Sequence, residues 1–400
     1  MHTLSPVKSL TILALLTAAA SLSATDGYFD HGYGVKAKGL GGAGVAFAQD
    51  ALAPATNPAG IFSVPDSVIF GLTYFRPDRG VTQGGTYADA NGEASFLIPE
   101  FAYKRAISDV LAFDLSIFGN GGMNTTYANA NPVFGTTPLT MNLEQAFVAP
   151  TFAYKLDPNH AIGISAVLQY QRFKATGLQN FGIMDPGTDS TFGGGARLGY
   201  TGTINDWLTV GATYQTRIYS GKFKKYAGLF AEQGGFDTPS NYALGFAVKP
   251  SSSLTWALDV ERIRYSEINS VGNPLNAATF SAGLGSAGGP GFGWRDVTAI
   301  KTGVAYEYSP DLTLRIGYNH TTQPIQGTQT TFNIIAPGVV QDHVTLGATW
   351  KYGPNLEISA FYAHAFDKTV RGAGSFFGPS SDADLRMSQD SVGVNIGWNF

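Results

Sequence analysis

The chain has 400 residues, of which 14% are charged and 13% are aromatic, and it contains 50 glycines and no cysteine. The lack of cysteine excludes a disulfide framework and a thiolate metal site. The formal net charge of -4 gives no reason to expect a nucleic-acid partner.

The first 24 residues are predicted to be a secretory signal peptide. Lys8 gives the N-terminal region a positive charge, and the stretch from Leu10 to Ala20 is a short apolar core. Small residues follow, so cleavage is expected after Ala24. The apolar run is shorter than the roughly 20 residues that a transmembrane helix needs. A buried N-terminal helix is the alternative, but glycine-rich sequence follows at once.

Residues 25–66 lack the pattern of a strand and are interpreted as a compact plug, or hatch. Gly39, Gly41 and Gly44 match the glycine spacing of a dinucleotide fingerprint. That motif is meaningful only after a strand and within a βαβ unit, whereas here it follows a signal peptide. These small residues are therefore better explained as a segment that packs inside the β-barrel that residues 67–400 are predicted to form.

From residue 67 to the C terminus, large apolar residues alternate with small or polar residues. Successive side chains of a strand point to opposite faces, so each segment has one apolar face. In the last segment this face consists of Val392, Val394, Ile396, Trp398 and Phe400. Tyrosine or tryptophan often ends the apolar face, as expected of an aromatic girdle at a lipid interface, at Tyr74, Tyr154, Tyr200, Tyr214, Tyr318, Trp350 and Trp398.

This alternation predicts an all-β fold, a transmembrane 14-stranded antiparallel β-barrel over residues 67–400. The connections alternate strictly between tight turns and long segments, as in bacterial outer-membrane barrels. A soluble β-sandwich also shows alternation but has no reason to keep this order of connections. We predict strands at 67–76, 97–107, 110–118, 143–155, 159–174, 190–201, 206–219, 240–250, 252–265, 294–308, 311–322, 341–352, 356–367 and 389–400.

Several motifs together resemble the FadL/TodX family of outer-membrane transporters for long-chain fatty acids and other hydrophobic molecules. The resemblance covers the whole mature chain. It implies fourteen strands, an N-terminal hatch and passive uptake by a monomer. The motifs are the run from Gly34 to Gly60 with its Asn57-Pro58-Ala59 triplet, Gly119-Asn120-Gly121-Gly122, the loop 222–232, and Trp294-Arg295-Asp296.

The resemblance also implies that the substrate leaves the barrel sideways, at a kink in strand three. Gly119, Asn120, Gly121 and Gly122 are the candidates for this lateral opening. Glycine tolerates unusual backbone conformations and interrupts a strand ladder, so these residues suit an opening in the barrel wall. An ordinary strand end that enters a glycine-rich loop is the alternative.

The loop 220–239 is the candidate for capture of a hydrophobic substrate outside the membrane. Phe223, Tyr226 and Phe230, with Leu229 beside them, are expected to form an apolar landing site on one stripe of a helical turn. Packing of this stripe against neighbouring loops is the alternative. Three nearby lysines are expected to meet phosphates of the lipopolysaccharide, at Lys222, Lys224 and Lys225.

A substrate carboxylate inside the barrel would need a cation, because an unpaired charge in an apolar site is costly. The resemblance points to Arg295, and Arg217 is the second choice. The other ionisable residues on the inner face include both acidic and basic side chains. Most of them are expected to form ion pairs between the wall and the hatch.

Nothing in the sequence indicates an enzyme, a metal site or a cofactor. The six histidines show no metal-binding spacing, and there is no nucleophile-elbow motif. The expected partners are therefore hydrophobic small molecules (fatty acids, alkanes or aromatics), together with outer-membrane lipid and lipopolysaccharide. A surface adhesin or receptor barrel and a general porin are the alternative functions.

Overall fold

A computed structural model describes residues 26–400. The predicted signal peptide, residues 1–24, lies outside the described residues. No helix between residues 26 and 400 is long and apolar enough to cross a membrane.

The chain forms one antiparallel sheet that closes on itself. The sheet has sixteen strands, but two of them, 86–89 and 219–220, have only four and two residues. The other fourteen form the barrel wall, which confirms the predicted architecture. They are β1 Ser67–Gln83, β2 Phe96–Ala106, β3 Leu111–Thr126, β4 Thr140–Lys155, β5 His160–Thr176, β6 Asp189–Asn205, β7 Leu208–Gln215, β8 Asn241–Ser251, β9 Leu254–Ile263, β10 Val297–Ser309, β11 Leu312–Thr321, β12 Asp342–Tyr352, β13 Leu356–Val370 and β14 Ala383–Asn399.

Closure occurs between the first and last of these strands. β1 pairs with β14 along its whole length, from Ser67 opposite Asn399 to Gln83 opposite Ala383. Such closure leaves no unpaired sheet edge, which hydrocarbon would not tolerate. Several strands are longer than predicted because they continue beyond the apolar band into the external loops. β3 shows the largest difference, since it runs to Thr126 and includes the glycines that we had placed after its end.

The predicted alternation matches the two faces of the wall. In β14, Val392, Val394, Ile396 and Trp398 are exposed on the outside, whereas Ser391 and the residues in step with it are buried inside. The outer apolar band faces lipid and the inner face is polar.

Between residues 26 and 400, the short helices lie in the hatch and in the connections. The α-helices are α1 Val35–Lys38, α2 Ala231–Gly234, α3 Asn269–Gly272 and α4 Ala277–Ala282. The 3₁₀ turns are Ala53–Ala55, Pro58–Ser63, Gln179–Phe181, Lys224–Tyr226, Tyr265–Glu267, Gly327–Gln329, Phe332–Ile335 and Pro379–Ser381.

Residues 26–66 lie inside the barrel and bind its wall through charged groups. Lys38 Nζ is 3.0 Å from Asp30 and 2.9 Å from Glu100 of β2. Lys301 Nζ of β10 is 3.0 Å from Asp26. Burial raises the pKa of Asp30, but Lys38 and other neighbours outweigh this effect and hold the pKa well below its usual range. The buried pair thus stays charged, which ties the segment to the wall.

The Asn57-Pro58-Ala59 triplet is fitted against two wall strands. Asn57 Nδ2 donates to the carbonyl oxygens of Val45 (2.7 Å) and Tyr200 (2.9 Å), and its Oδ1 accepts from Ala59 N (3.1 Å). A side-chain carbon at Gly199 of β6 would come within 2.0 Å of the Asn57 amide oxygen. The wall therefore needs a glycine at this position for the triplet to approach it.

We predict that Asn57→Ala lowers the free energy of unfolding by about 2 kcal/mol, because buried partners lose their hydrogen bonds. The midpoint of urea unfolding, followed by the electrophoretic mobility of the folded barrel, would measure this. The exposed Asn129 offers a matched control, and Asn129→Ala should leave the midpoint unchanged. Equal midpoints for the two variants would contradict the anchoring role of Asn57.

Candidate functional site

An apolar pocket of about 450 Å³ lies between the long external loops. Among the described residues that line it, only Ser270 has a polar side chain, and its hydroxyl already donates to the carbonyl oxygen of Gly235. Among the described residues, no charged side chain lines this pocket. The lining residues are Phe134, Phe173, Leu178, Phe181, Leu229, Phe230, Ser270, Leu284, Pro290, Gly291, Phe292, Phe332 and Ile335.

The predicted capture loop contributes to this pocket in two layers. Leu229 and Phe230 line it directly, whereas Phe223 and Tyr226 are fully buried behind it. The ring centroid of Phe173 lies 4.7 Å from that of Phe230 and 4.6 Å from that of Tyr226. These aromatic residues are thus packed against one another. The exposed landing site that we expected is therefore wrong for Phe223 and Tyr226.

The continuous helical turn predicted for this loop is also wrong. The helical turn that includes Tyr226 ends there, and Glu232 and Gln233 adopt positive φ angles of 58° and 63°. The loop folds back on itself, so that Phe223 N donates to the Gly234 carbonyl oxygen at 2.8 Å. Aromatic spacing alone indicated a stripe, but this backbone reversal could not be read from it.

Tyr226 fixes the loop to the top of the barrel. Its hydroxyl accepts from Ala175 N at 2.9 Å and donates to the Gly187 carbonyl oxygen at 2.8 Å. Burial raises the pKa of Tyr226, so the phenol remains neutral and can serve as both donor and acceptor.

The two arginines proposed for carboxylate contact lie outside the pocket lining. Arg217 Nε is 2.8 Å from the Asp237 carboxylate, and this ion pair neutralises the charge of the arginine. Arg295 is exposed, and its guanidinium donates to the side chain of Gln326. The preceding Trp294 points inward instead, with Nε1 donating to Asn333 Oδ1 at 2.6 Å.

A block of buried aromatic rings separates the pocket from the interior. Tyr28 packs against Tyr265, Trp294 and Phe236, with ring centroids 5.0, 5.9 and 6.0 Å apart. The Tyr265 hydroxyl accepts from Tyr28 N at 3.1 Å. Sequence reasoning missed this block, although Tyr28 and Phe29 are conspicuous before a run of glycines.

The barrel wall is interrupted between β2 and β3. Their ladder stops at the pair Phe101 and Ile117. Within the described chain, no ladder pair joins the remaining part of β2, 96–100, to the upper part of β3, 118–126. The interruption ends above at Thr126, whose carbonyl oxygen accepts from Gly92 N at 3.0 Å.

The predicted glycine motif lies at this interruption and forms a β-bulge. The register between β3 and β4 shifts between Gly119 and Gly121, so Asn120 is the extra residue. Gly121 has a φ of 154°, and a side-chain carbon there would lie 1.8 Å from the Tyr28 carbonyl oxygen. Only glycine fits this position. The alternative of an ordinary strand end is wrong.

The hatch closes the interruption from inside the barrel. Gly122 N donates to the Tyr28 carbonyl oxygen, and Asp30 N donates to the Asn120 carbonyl oxygen, each at 3.0 Å. The Tyr33 hydroxyl donates to Asn120 Oδ1 at 2.8 Å. These bonds replace some of the ladder bonds that β2 does not supply.

A second pocket of about 290 Å³ lies beside the interruption. Its apolar surface comes from Phe75, Met123, Pro337 and Met387. Buried Arg79 also lines it and reaches the carbonyl oxygens of Glu93 and Asn124. We had not singled out this residue, because the predicted first strand ended before it.

The comparisons with known proteins agree with this architecture. Residues 31–400 match the family described as outer membrane protein transport protein (OMPP1/FadL/TodX). The toluene transporter TodX of Pseudomonas putida has 18% identity and a TM-score of 0.69, covering 93% of this chain and 99% of that one. No curated protein sequence matches the chain.

Two further solved structures show the same fold. The toluene transporter TbuX of Ralstonia pickettii has 16% identity and a TM-score of 0.65, covering 92% of this chain and 99% of that one. A FadL homologue of Pseudomonas aeruginosa has 16% identity and a TM-score of 0.70, covering 93% and 99%.

A closed barrel with an outer apolar band is the architecture of integral proteins of the Gram-negative outer membrane. The family match is more specific, since it extends over 370 of the 400 residues. The chain belongs to the OMPP1/FadL/TodX family of outer-membrane transporters for hydrophobic compounds.

Proposed function

We propose that this protein takes up hydrophobic molecules passively, captures them in the external pocket and releases them sideways through the wall between β2 and β3. The lining of the external pocket carries the proposal, because it offers aromatic and aliphatic surface and only one polar side chain. Such a site binds through apolar burial, which requires no directional contact.

The pocket favours uncharged substrates such as monoaromatic hydrocarbons or alkanes. A carboxylate entering it would lose its hydration without finding a cation, which is costly. The solved relatives TodX and TbuX are described as toluene transporters, which supports the same substrate class. A long-chain fatty acid would bind here only with its carboxylate outside the pocket.

Weak capture is suited to passive transport. A ligand that buries about 150 Å² of apolar surface gains about 4 kcal/mol, which corresponds to a dissociation constant of about 1 mM. Binding of this strength concentrates the substrate at the membrane surface and still lets it leave. The concentration gradient then provides the driving force.

The route from the pocket to the wall passes the aromatic block. Tyr28 and Phe29 would have to move, because they lie between the external pocket and the interruption beside β3. The Tyr28 carbonyl oxygen accepts a hydrogen bond from Gly122 N of the wall, and Asp30, the residue after Phe29, donates from its N–H to the Asn120 carbonyl oxygen. We propose that the hatch, residues 25–66, acts as the gate and that Asn57, Pro58 and Ala59 anchor its immobile end.

The lateral exit is proposed for the interruption formed by Gly119, Asn120, Gly121 and Gly122. In the proposed exit, lipid would adjoin the wall on the outside, and the apolar residues of the second pocket lie inside it. A hydrophobic molecule leaving here would pass from one apolar environment to another and avoid water.

A general porin would need an open polar channel, and residues 26–66 occupy the lumen instead. An adhesin or receptor would not need apolar pockets on both sides of an aromatic block. Both alternatives are therefore weaker than uptake.

A charge in the pocket should block capture. We predict that Leu229→Asp reduces uptake of radiolabelled toluene into intact cells at least about tenfold, since an unpaired carboxylate in an apolar site is unfavourable. Met184→Asp is the matched control, because Met184 is an exposed loop residue that does not line the pocket. Normal uptake by Leu229→Asp, with the protein present in the outer membrane, would exclude the pocket as the capture site.

For a fatty acid we propose that Arg295, and secondly Arg217, contacts the carboxylate at the outer edge of the loops. Arg295→Ala should then weaken oleate binding about tenfold, the usual size of a charge-assisted hydrogen bond, and leave toluene binding unchanged. Fluorescence titration of the purified barrel with each ligand measures both values. Equal oleate binding by the variant and the wild type would remove Arg295 from the site.

Removing the bulge should close the exit. We predict that deletion of Asn120 restores a regular ladder between β3 and β4 and abolishes uptake. Ligand binding to the external pocket of the purified variant should persist. Deletion of Asp109, in the tight turn before β3, controls for shortening the chain. Undiminished uptake without Asn120 would contradict lateral release.

A further inference from the structure

A row of buried polar side chains crosses the inner face of the barrel wall. Gln145 of β4 stands opposite Gly121 of β3, and Gln171 of β5 stands opposite Gln145. Thr191 of β6 stands opposite Gln171 and continues the row. Gln145 and Gln171 are almost completely buried. The row therefore begins at the bulge beside the wall interruption and runs around the wall away from it.

The amide groups of this row are joined head to tail by hydrogen bonds. Asn120 Nδ2 donates to Gln145 Oε1, and Gln145 Nε2 donates to Gln171 Oε1, each at 3.1 Å. Gln171 Nε2 then donates to the Phe236 carbonyl oxygen of the capture loop at 2.9 Å. At the other end, the Tyr33 hydroxyl of the hatch donates to Asn120 Oδ1 at 2.8 Å. The amide chain of Asn120, Gln145 and Gln171 thus links the hatch, the bulge and the capture loop.

The Phe236 carbonyl group fixes the direction of this amide chain. A carbonyl oxygen can only accept, so Gln171 has to direct its NH₂ group toward Phe236. Its amide oxygen therefore faces Gln145, which has to donate, and the same argument gives the orientation of Asn120. A hydroxyl is different, since Thr191 Oγ1 accepts from Gln171 Nε2 at 3.1 Å but could equally donate to a reversed amide. The direction of the chain thus depends on one backbone group of the capture loop.

This backbone group lies directly behind the external pocket. Phe230 lines the pocket, and its ring packs against that of Phe236 with centroids 4.9 Å apart. The Phe236 ring also packs against Tyr28 of the aromatic block at 6.0 Å. Contacts of this kind pass on a displacement, because packed interiors have few voids. A ligand that displaces Phe230 would therefore also shift Phe236 and draw its carbonyl oxygen away from Gln171.

The amide chain has a second arrangement that satisfies its hydrogen bonds. A buried amide that loses its partner is costly, because it does not regain contact with water. Reversal of all three amides avoids this cost, since Thr191 then donates to Gln171 and each amide donates toward the bulge. The Tyr33 hydroxyl no longer donates to Asn120 in this arrangement. A hydrogen-bond network with two discrete arrangements can carry coupling between two sites.

We propose that Gln145 and Gln171 are positioning residues that couple capture of a hydrophobic ligand to opening of the lateral exit. Occupation of the external pocket shifts Phe236, the amide chain reverses, and the bulge at Asn120 loses its hydrogen bond from the hatch. This inference rests on the proposed capture and lateral release, and it adds the link between the two sites. The wall then stays closed as long as the external pocket is empty.

The test measures hydrogen exchange by mass spectrometry on the full purified barrel, with and without toluene. In the wild type, toluene should raise the exchange of backbone amides in the β3 segment 118–124 at least about fivefold, a typical size for coupling between two sites. Gln145→Met keeps the length of the side chain but removes its hydrogen bonds along the row. This variant should bind toluene as the wild type does, lose the ligand-dependent rise in exchange, and take up less toluene into intact cells.

Gln169→Met is the matched control. Gln169 is also buried on the inner face, and its Nε2 donates to Gln171 Oε1 at 3.1 Å. It forms a side branch toward Ser220, however, and does not lie between the capture loop and the bulge. The control should therefore keep the ligand-dependent rise in exchange. Gln171→Met interrupts the chain nearer to the pocket and should behave like Gln145→Met. Unchanged electrophoretic mobility confirms that each variant is folded.

A ligand-dependent rise that persists in Gln145→Met and Gln171→Met would overturn the amide chain as the link, and it would leave capture and lateral release unaffected. An equal loss of the rise in Gln169→Met would also overturn it, because the buried amides would then act through packing. Absence of toluene binding to the wild type would overturn the proposed function itself, and this inference with it.

Discussion

The structure depends on one constraint: backbone N–H and C=O groups at membrane depth need hydrogen-bond partners. Closure of β1 on β14 satisfies this constraint around almost the whole wall. The exception lies between β2 and β3, where backbone atoms of Tyr28 and Asp30 in the hatch supply bonds to Asn120 and Gly122. The hatch is therefore part of the wall at this point, and a movement that opened the interior would also open the wall. The proposed steps of capture, gating and lateral release would be coupled in this way through a few hydrogen bonds.

The positions of the charged side chains agree with this coupling between the hatch and the wall. The lumen holds buried ion pairs such as Lys38 with Glu100 and Lys301 with Asp26, which bind the hatch to the wall. The external pocket has no charged lining residue among those described. Buried pairs of this kind are costly to break, so they hold the hatch both at Lys38 and at its first described residue, Asp26.

Period-two alternation made the fold predictable, because a lipid-facing strand such as β14 leaves no freedom in the order of apolar and polar residues. The glycines of the Gly119–Gly122 motif indicated unusual backbone, and the structure has a β-bulge there, although within β3 and not after its end. The capture loop was only partly predictable. Leu229 and Phe230 line the pocket, but the reversal at Glu232 and Gln233 depends on tertiary contacts that local spacing does not encode. The aromatic block around Tyr28 arises from residues more than two hundred positions apart, which no local pattern brings together.

Photo-crosslinking with a hydrophobic diazirine probe tests the proposed path most directly. The probe would be added to cells that carry the protein, and the labelled residues would be mapped by mass spectrometry. The proposed path predicts labels at Phe230 and Phe292 in the external pocket and at Phe75 and Met123 beside the interruption. Labels that instead follow the lumen to the large cavity at the turn end of the barrel, lined by residues including Phe47, Phe62 and Trp207, would contradict lateral release.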